Sequence, residues 1–162
     1  MPPLKSASLG ELGWIVSDNA ESREVHRGQI SDYRGKVLVL DFYATWCEPC
    51  RASVPHLLAL QRQYEKHGLQ VMGLNVGGPE DRLKVPDFAS EFHISYPLGF
   101  PDRSLEDLLL SDDERIPQTF VLDREGVVVK RFIGYDQSSG VELDSIVEHE
   151  IEKETKNAAS RR

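Results

Sequence analysis

Apolar residues follow two rhythms along this chain, and the rhythm changes at one place. Between Lys36 and Tyr43 they are nearly unbroken: Val37, Leu38, Val39 and Leu40, then Phe42 and Tyr43 after a single Asp41. A β-branched and aromatic run without polar alternation predicts a central strand buried on both faces. From Cys50 onward the spacing turns helical. Cys50, Val54, Leu57, Leu60 and Tyr64 fall at offsets 0, 4, 7, 10 and 14, one stripe of an amphipathic helix. His67-Gly68 ends that helix, the glycine supplying a left-handed stop. Leu69–Val76 is a second apolar strand, broken by Gly77, Gly78 and Pro79. Residues 80–92 read as a helix that Pro86 must kink or restart.

The flanks are more polar. Residues 11–16 and 23–30 are short extended stretches around a polar turn at Ser17–Ser22, the pattern of a hairpin. Residues 94–115 are polar and proline-punctuated, an insert with one short helix near Ser104–Leu110. Gln118–Asp123 and Val127–Ile133 flank Arg124-Glu125-Gly126, a second hairpin closed by Gly134. Val141–Glu154 carries Val141, Ile146, Val147 and Ile151 and predicts a last helix. The expected fold is therefore α/β: a three-layer α/β/α sandwich with a mixed central sheet, an N-terminal hairpin and a central insert. The expected organisation is an extension over 1–11, a domain over 12–154 and a frayed tail over 155–162.

At 162 residues the chain can bury a real core as one domain. Nineteen basic against twenty-seven acidic residues leave a formal charge of −8, which speaks against nucleic acid and anionic membranes as partners. No apolar run approaches the roughly 18 residues of a membrane span. The first ten residues hold no apolar core of a signal peptide, so the expectation is a cytoplasmic protein unless an export or anchor segment preceded Met1.

The chemistry sits in the only two cysteines, both within Cys47-Glu48-Pro49-Cys50. A thiol attacks as thiolate, and a helix N-terminus stabilises that anion through its unpaired N–H groups and partial positive charge. Cys47 stands at the junction of strand and helix, where this field is strongest, and Cys50 lies one turn on, on the core-facing stripe. Cys47 is thus expected to be exposed and attacking, Cys50 shielded and resolving. Glu48 opposes thiolate formation and so favours the disulfide, predicting a relatively reducing couple. Pro49 sits in the first turn, where its missing N–H costs nothing. A closed zinc site wants four ligands. No second cysteine pair exists, and His26, His56, His67, His93 and His149 share no spacing. An inert buried pair is a poor reading of a Glu-Pro dipeptide at a strand–helix junction.

Two further residues carry open alternatives. Asp41, six positions before Cys47, is either a partly wet edge carboxylate or a buried carboxyl of raised pKa that exchanges a proton with Cys50. Pro117 after Ile116 is either an ordinary strand-start proline or the second residue of a cis peptide that leaves a backbone edge beside the thiols.

These residues together resemble a known family. Val39 to Arg51 with its Cys-Glu-Pro-Cys core, Pro55, Ile116 to Gly126 and Gly134 are similar to the thioredoxin superfamily, and most to its TlpA/ResA-like thiol-disulfide oxidoreductase branch. The resemblance covers about residues 12 to 150. It implies a cis Ile116–Pro117 bond, Trp46 flanking the attacking thiol, and Gly134 bordering the substrate groove. It also implies catalysis by Cys47 and Cys50 with Asp41 and Glu48 beside them, and substrate contacts from Trp46, Pro49, Ile116, Pro117 and Gly134. No cofactor or metal is expected beyond the Cys47–Cys50 disulfide. The implied partners are protein disulfide clients and an upstream thiol reductant, with the chain acting as a monomer. Two departures stand out. Ser53 occupies a position where many members of the branch carry an acid, and the lysine that neighbours the buried aspartate in general thioredoxins is replaced near Gly73. The competing readings are a thiol peroxidase of the peroxiredoxin branch and a redox-inert binding module. The peroxidase pattern wants threonine three residues before its cysteine, whereas Thr45 is two before Cys47.

Overall fold

The computed structural model describes residues 9–17 and 25–160. The strands are β1 (Gly13–Ser17), β2 (Val25–Gln29), β3 (Val37–Tyr43), β4 (Leu69–Asn75), β5 (Leu98–Pro101), β6 (Gln118–Leu122) and β7 (Val128–Ile133). The helices are α1 (Glu48–Tyr64), α2 (Pro79–Arg82), α3 (Val85–Phe92), α4 (Arg103–Leu110) and α5 (Gln137–Ser160). The seven strands among the described residues join one sheet in the order β2-β1-β5-β4-β3-β6-β7. β3, β4 and β5 run parallel, and the remaining neighbours pair antiparallel, so the sheet is mixed as the sequence predicts.

The alternation of side chains along β3 places the site. Leu38, Leu40 and Phe42 face one layer, where they meet Trp14, Met72, Leu74, Phe120 and the α4 leucines Leu105 and Leu109. Val37 and Val39 face the other, against Leu57 and Leu60 of α1 and Val147 and Ile151 of α5. Every residue of β3 is buried, as its unbroken apolar run requires. Asp41 and Tyr43 share the parity of Val37 and Val39, so the sheet delivers them to the α1 side, where Tyr43 packs in one cluster with Cys47, Cys50 and Val54.

Several expectations are refined. Pro86 restarts rather than kinks the helix: α2 ends at Arg82, and α3 begins at Val85 with the proline in its first turn. The insert contains a strand the sequence did not announce, β5, whose Gly99 and terminal Pro101 hide its pattern. β5 pairs with both β4 and β1, so the N-terminal hairpin extends the central sheet instead of standing apart. The hairpin's turn over 18–24 lies outside the described residues. Val141 does not join the buried stripe of α5. It is 65% exposed, and Leu143 takes the core position with Val147 and Ile151. The backbone of α5 runs on to Ser160, past residue 155.

Trp14 anchors the hairpin layer. It is fully buried and stands opposite Gly28 in the β1–β2 register. A Cβ on Gly28 would meet the indole, lying 2.9 Å from Cε2. A rigid buried ring cannot give way as a flexible chain end does, so Gly28→Ala is expected to destabilise the fold by about 1–3 kcal/mol, read as a lower thermal midpoint. An unchanged midpoint would show that the ring has room to move.

Candidate active site

β3 ends at Tyr43 and α1 begins at Glu48, leaving a short loop of Ala44, Thr45, Trp46 and Cys47. Cys47 is the N-cap of α1, in extended conformation, and its Sγ accepts from the Cys50 N–H at 3.3 Å. The same sulfur is bonded to Cys50 Sγ in a disulfide, with the two Cα atoms 5.2 Å apart. Pro49 falls in the first turn, as expected. One expectation is corrected here: Cys47 is not open to solvent. It is 6% exposed against 0% for Cys50, because its sulfur turns inward to cap the helix. The accessible surface around it belongs to Trp46, which is 64% exposed, and to Glu48 and Pro49.

Asp41 settles one of the open alternatives. It is 1% exposed, in register with Gly73 on one side and Thr119 on the other, and is no edge residue. Its Oδ1 accepts from Thr119 Oγ1 at a long 3.4 Å, and among the described residues no cation neutralises it. Burial dominates and pushes its pKa up to about 7, only partly offset by Thr119. A Cβ on Gly73 would sit 3.3 Å from the ring of Tyr96 and 3.4 Å from that of Tyr43. Those two rings and the Leu98 side chain, whose Cδ2 would lie nearer still at 2.6 Å, cover the position opposite Asp41 that the resemblance gives to a lysine. Burial, then the charge of Asp41, holds the Tyr96 hydroxyl well above the usual tyrosine range.

The second open alternative closes as well: Ile116–Pro117 is cis. The Ile116 carbonyl lies 3.8 Å from Cys47 Sγ, so this loop and the cysteine loop meet. Gly134, at φ 83°, donates its N–H to the Pro117 carbonyl at 2.8 Å, which seats it in the same corner. Trp46, Val76, Leu110 and Ile116, with the carboxylates Glu106, Asp107 and Glu114, line a cleft that reaches the residues next to Cys47 and Pro117 in the chain. Ser53 is buried and turns its hydroxyl back to the Cys50 carbonyl at 2.8 Å.

Sequence reading missed the residues that brace these loops. Gln118, fully buried, donates to the Asp113 carbonyl and accepts from Arg131 Nε at 2.9 Å, and Arg131 also grips Asp112 with both terminal nitrogens. That clamp holds the segment leading into Pro117. Asp81, on the four-residue α2, binds Thr45 in the cysteine loop. Gln118 and Asp81 look like ordinary polar residues in the chain, and only their long-range partners distinguish them. Among the described residues no group of three or more His, Cys, Asp or Glu gathers to hold a metal ion. No helix among them is long and apolar enough to cross a membrane.

Comparison with known proteins agrees with this geometry. The Redoxin family profile matches residues 23–148. The thiol-disulfide oxidoreductase ResA of Geobacillus kaustophilus is 35% identical over 123 residues, which cover 75% of this chain and 69% of that protein. ResA of Geobacillus thermodenitrificans is 37% identical over 121 residues, covering 75% of this chain and 66% of its own length. The chain thus spans about two thirds of these curated relatives. Among solved structures, a thiol:disulfide interchange protein of the thioredoxin family from Chlorobium tepidum matches with a TM-score of 0.68 at 22% identity, over 86% of this chain and 94% of its own. That last likeness is one of fold.

The Asp41 carboxyl makes stability depend on pH with a definite sign. Its pKa of about 7 in the fold stands above the unfolded value of about 3.9, so between them the folded state holds the proton that the unfolded state has released. Stability therefore falls as pH rises from about 4 to about 7, by an amount on the order of a few kcal/mol. Asp41→Asn keeps the shape and removes the charge. Denaturant melts should show the variant more stable than the wild type at pH 8, with the gap closing toward pH 4. Identical pH slopes for the two proteins would mean that the carboxyl titrates at an ordinary pKa.

Proposed function

We propose, from the premise that this chain belongs to the Redoxin family and is a thiol-disulfide oxidoreductase, that it reduces the disulfides of protein clients. The observation that carries the direction of attack is the seating of the pair: Cys47 caps α1 beside the exposed Trp46 and the Ile116 carbonyl, while Cys50 has no exposed surface. Residues 12–154 are the unit to which we assign this reaction.

In the dithiol state the Cys47 thiolate attacks one sulfur of the client disulfide. A Cys47–client disulfide forms, and the other client sulfur leaves as thiolate. Cys50 then gives up its proton and attacks Cys47 Sγ, which re-forms the Cys47–Cys50 bond and releases the second client sulfur as thiolate. Two electrons pass to the client, and a thiol reductant upstream must return them. The N–H groups at the start of α1 stabilise the Cys47 thiolate, and Glu48 in the same turn works against it. We assign the Cys50 proton to Asp41. Its pKa of about 7 suits a group that must take a proton and give it up near neutrality. The client's chain is assigned to the corner formed by Ile116, Pro117 and Gly134 and to the cleft beside Trp46.

The peroxidase reading is disfavoured by the one hydroxyl close in sequence to Cys47. Thr45 Oγ1 is bound to Asp81 Oδ1 at 2.5 Å and so is engaged away from the sulfur.

Reduction of insulin disulfides in the presence of dithiothreitol should be accelerated by this protein, while peroxide consumption measured in parallel should stay at background. Fast peroxide turnover without insulin reduction would overturn the proposal. Cys50→Ser is expected to accumulate mixed disulfides with clients and Cys47→Ser is not, as read on non-reducing gels. Equal trapping by both would reverse the assignment of attack and resolution. In single-turnover kinetics Asp41→Asn should slow release of the reduced client by about a hundredfold. An unaltered rate would assign the Cys50 proton elsewhere, with Glu48 the next carboxylate to test.

A further inference from the structure

Asp81 has no place in the exchange reaction, yet it is one of the most heavily engaged carboxylates among the described residues. It is 3% exposed. One oxygen accepts from the Thr45 N–H at 2.9 Å and from Asn75 Nδ2 at 2.9 Å, and the other accepts from Thr45 Oγ1 at 2.5 Å. Asn75 in turn takes the Gly77 N–H on its own Oδ1 at 3.1 Å. The approach of α2 is possible only because residue 77 has no side chain: a Cβ there would fall 2.6 Å from Asp81 Cβ and Cγ. On the far side of the loop, Arg51 Nη1 donates to the Thr45 carbonyl at 3.1 Å. All three polar groups of Thr45 are therefore taken, two of them by one carboxylate.

Thr45 lies two residues before Cys47, and nothing but the exposed Trp46 separates them. In the oxidised protein the Cys47–Cys50 bond itself holds the loop against α1. Once that bond is reduced, Asp81 is a remaining tie on the loop's N-terminal side.

We propose that Asp81 is a positioning residue for the redox pair, holding the Thr45–Cys47 loop in the dithiol state so that Cys47 stays within reach of Cys50. The proposal rests on Cys47 and Cys50 being the working couple, as argued above. A loop kept in place by Asp81 loses less freedom when the disulfide closes, so Asp81 raises the effective concentration of one thiol at the other. Linkage then requires that the disulfide and the Asp81 contacts reinforce each other. Burial raises the carboxyl pKa of Asp81, but the Thr45 and Asn75 hydrogen bonds outweigh it and hold the group below the ordinary carboxylate range, consistent with an ionised acceptor.

The test is the equilibrium of the Cys47–Cys50 couple against a glutathione redox buffer, measured for wild type, Asp81→Asn, Thr45→Val and Thr45→Ser. An asparagine turns an amide nitrogen toward groups that are themselves donors, and valine removes the hydroxyl while leaving the Asp81 charge. Asp81→Asn is expected to lower the equilibrium constant for disulfide formation about tenfold, the scale of one charge-assisted hydrogen bond. Thr45→Val should move it the same way by a smaller factor, and Thr45→Ser should restore it. Denaturation of oxidised and reduced Asp81→Asn should show the stabilisation by the disulfide lowered by the free energy of that tenfold change, about 1.4 kcal/mol. Equal destabilisation of both redox forms with an unchanged equilibrium constant would make Asp81 merely structural and overturn the proposal. A shift in Asp81→Asn alone, with a matching shift in the pH midpoint of Cys47 alkylation, would assign the effect to charge and overturn it as well. If Asp81→Asn does not fold, the Thr45 pair decides. Failure of the wild type to reduce insulin would sink the proposed function but not these equilibria, so the two can fail separately.

Discussion

A helix that starts at Glu48 leaves its first N–H groups without intrahelical partners, and the sulfur of Cys47 answers one of them, the Cys50 N–H. Much else follows from that contact. It turns the sulfur inward, which leaves Cys47 nearly covered while Trp46 beside it stays open. It brings Cys47 to the one place where a thiolate is stabilised by the backbone, and it sets Cys50 one turn along on the buried face. Proline at position 49 does not interfere, because a residue in the first turn has no N–H partner to lose.

The second determinant is the two-sided burial of β3. A strand covered on both faces has no wet side, so a polar residue at any position must be buried. Parity sends Asp41 to the α1 layer rather than to the α4 layer, the side on which Cys47 and Cys50 pack. Leu98, Tyr96 and Tyr43 fill the space over Gly73. Among the described residues no cation lowers the Asp41 pKa, and burial outweighs the Thr119 hydrogen bond. The energetic cost of that carboxylate is carried by a core that packs both faces of the sheet.

The remaining walls of the site come from distant parts of the chain. The Ile116–Pro117 loop reaches Cys47 because β6 lies antiparallel against β3, and Gly134 reaches Pro117 because β7 lies antiparallel against β6. Buried polar side chains then fix the loops at each side, Gln118 on the proline segment and Asp81 on the cysteine segment. Each satisfies backbone groups that the loop geometry would otherwise leave unpaired.

Local spacing alone determined the centre of this protein. The unbroken run of β3, the stripe beginning at Cys50 and the glycine at 68 place a strand, a reactive pair and a helix in order, because these signals arise from neighbours in the chain. The cis Ile116–Pro117 bond was legible only through resemblance to a family. Tertiary structure decided the rest. It brought β5 into the sheet against weak local signals, buried Asp41 instead of wetting it, and covered Cys47 instead of exposing it. It also gave Asp81 and Gln118 their work. Burial and hydrogen bonding to residues 36 or more positions away, as between Thr45 and Asp81, depend on how strands are ordered in the sheet, and no periodicity within a segment records that order.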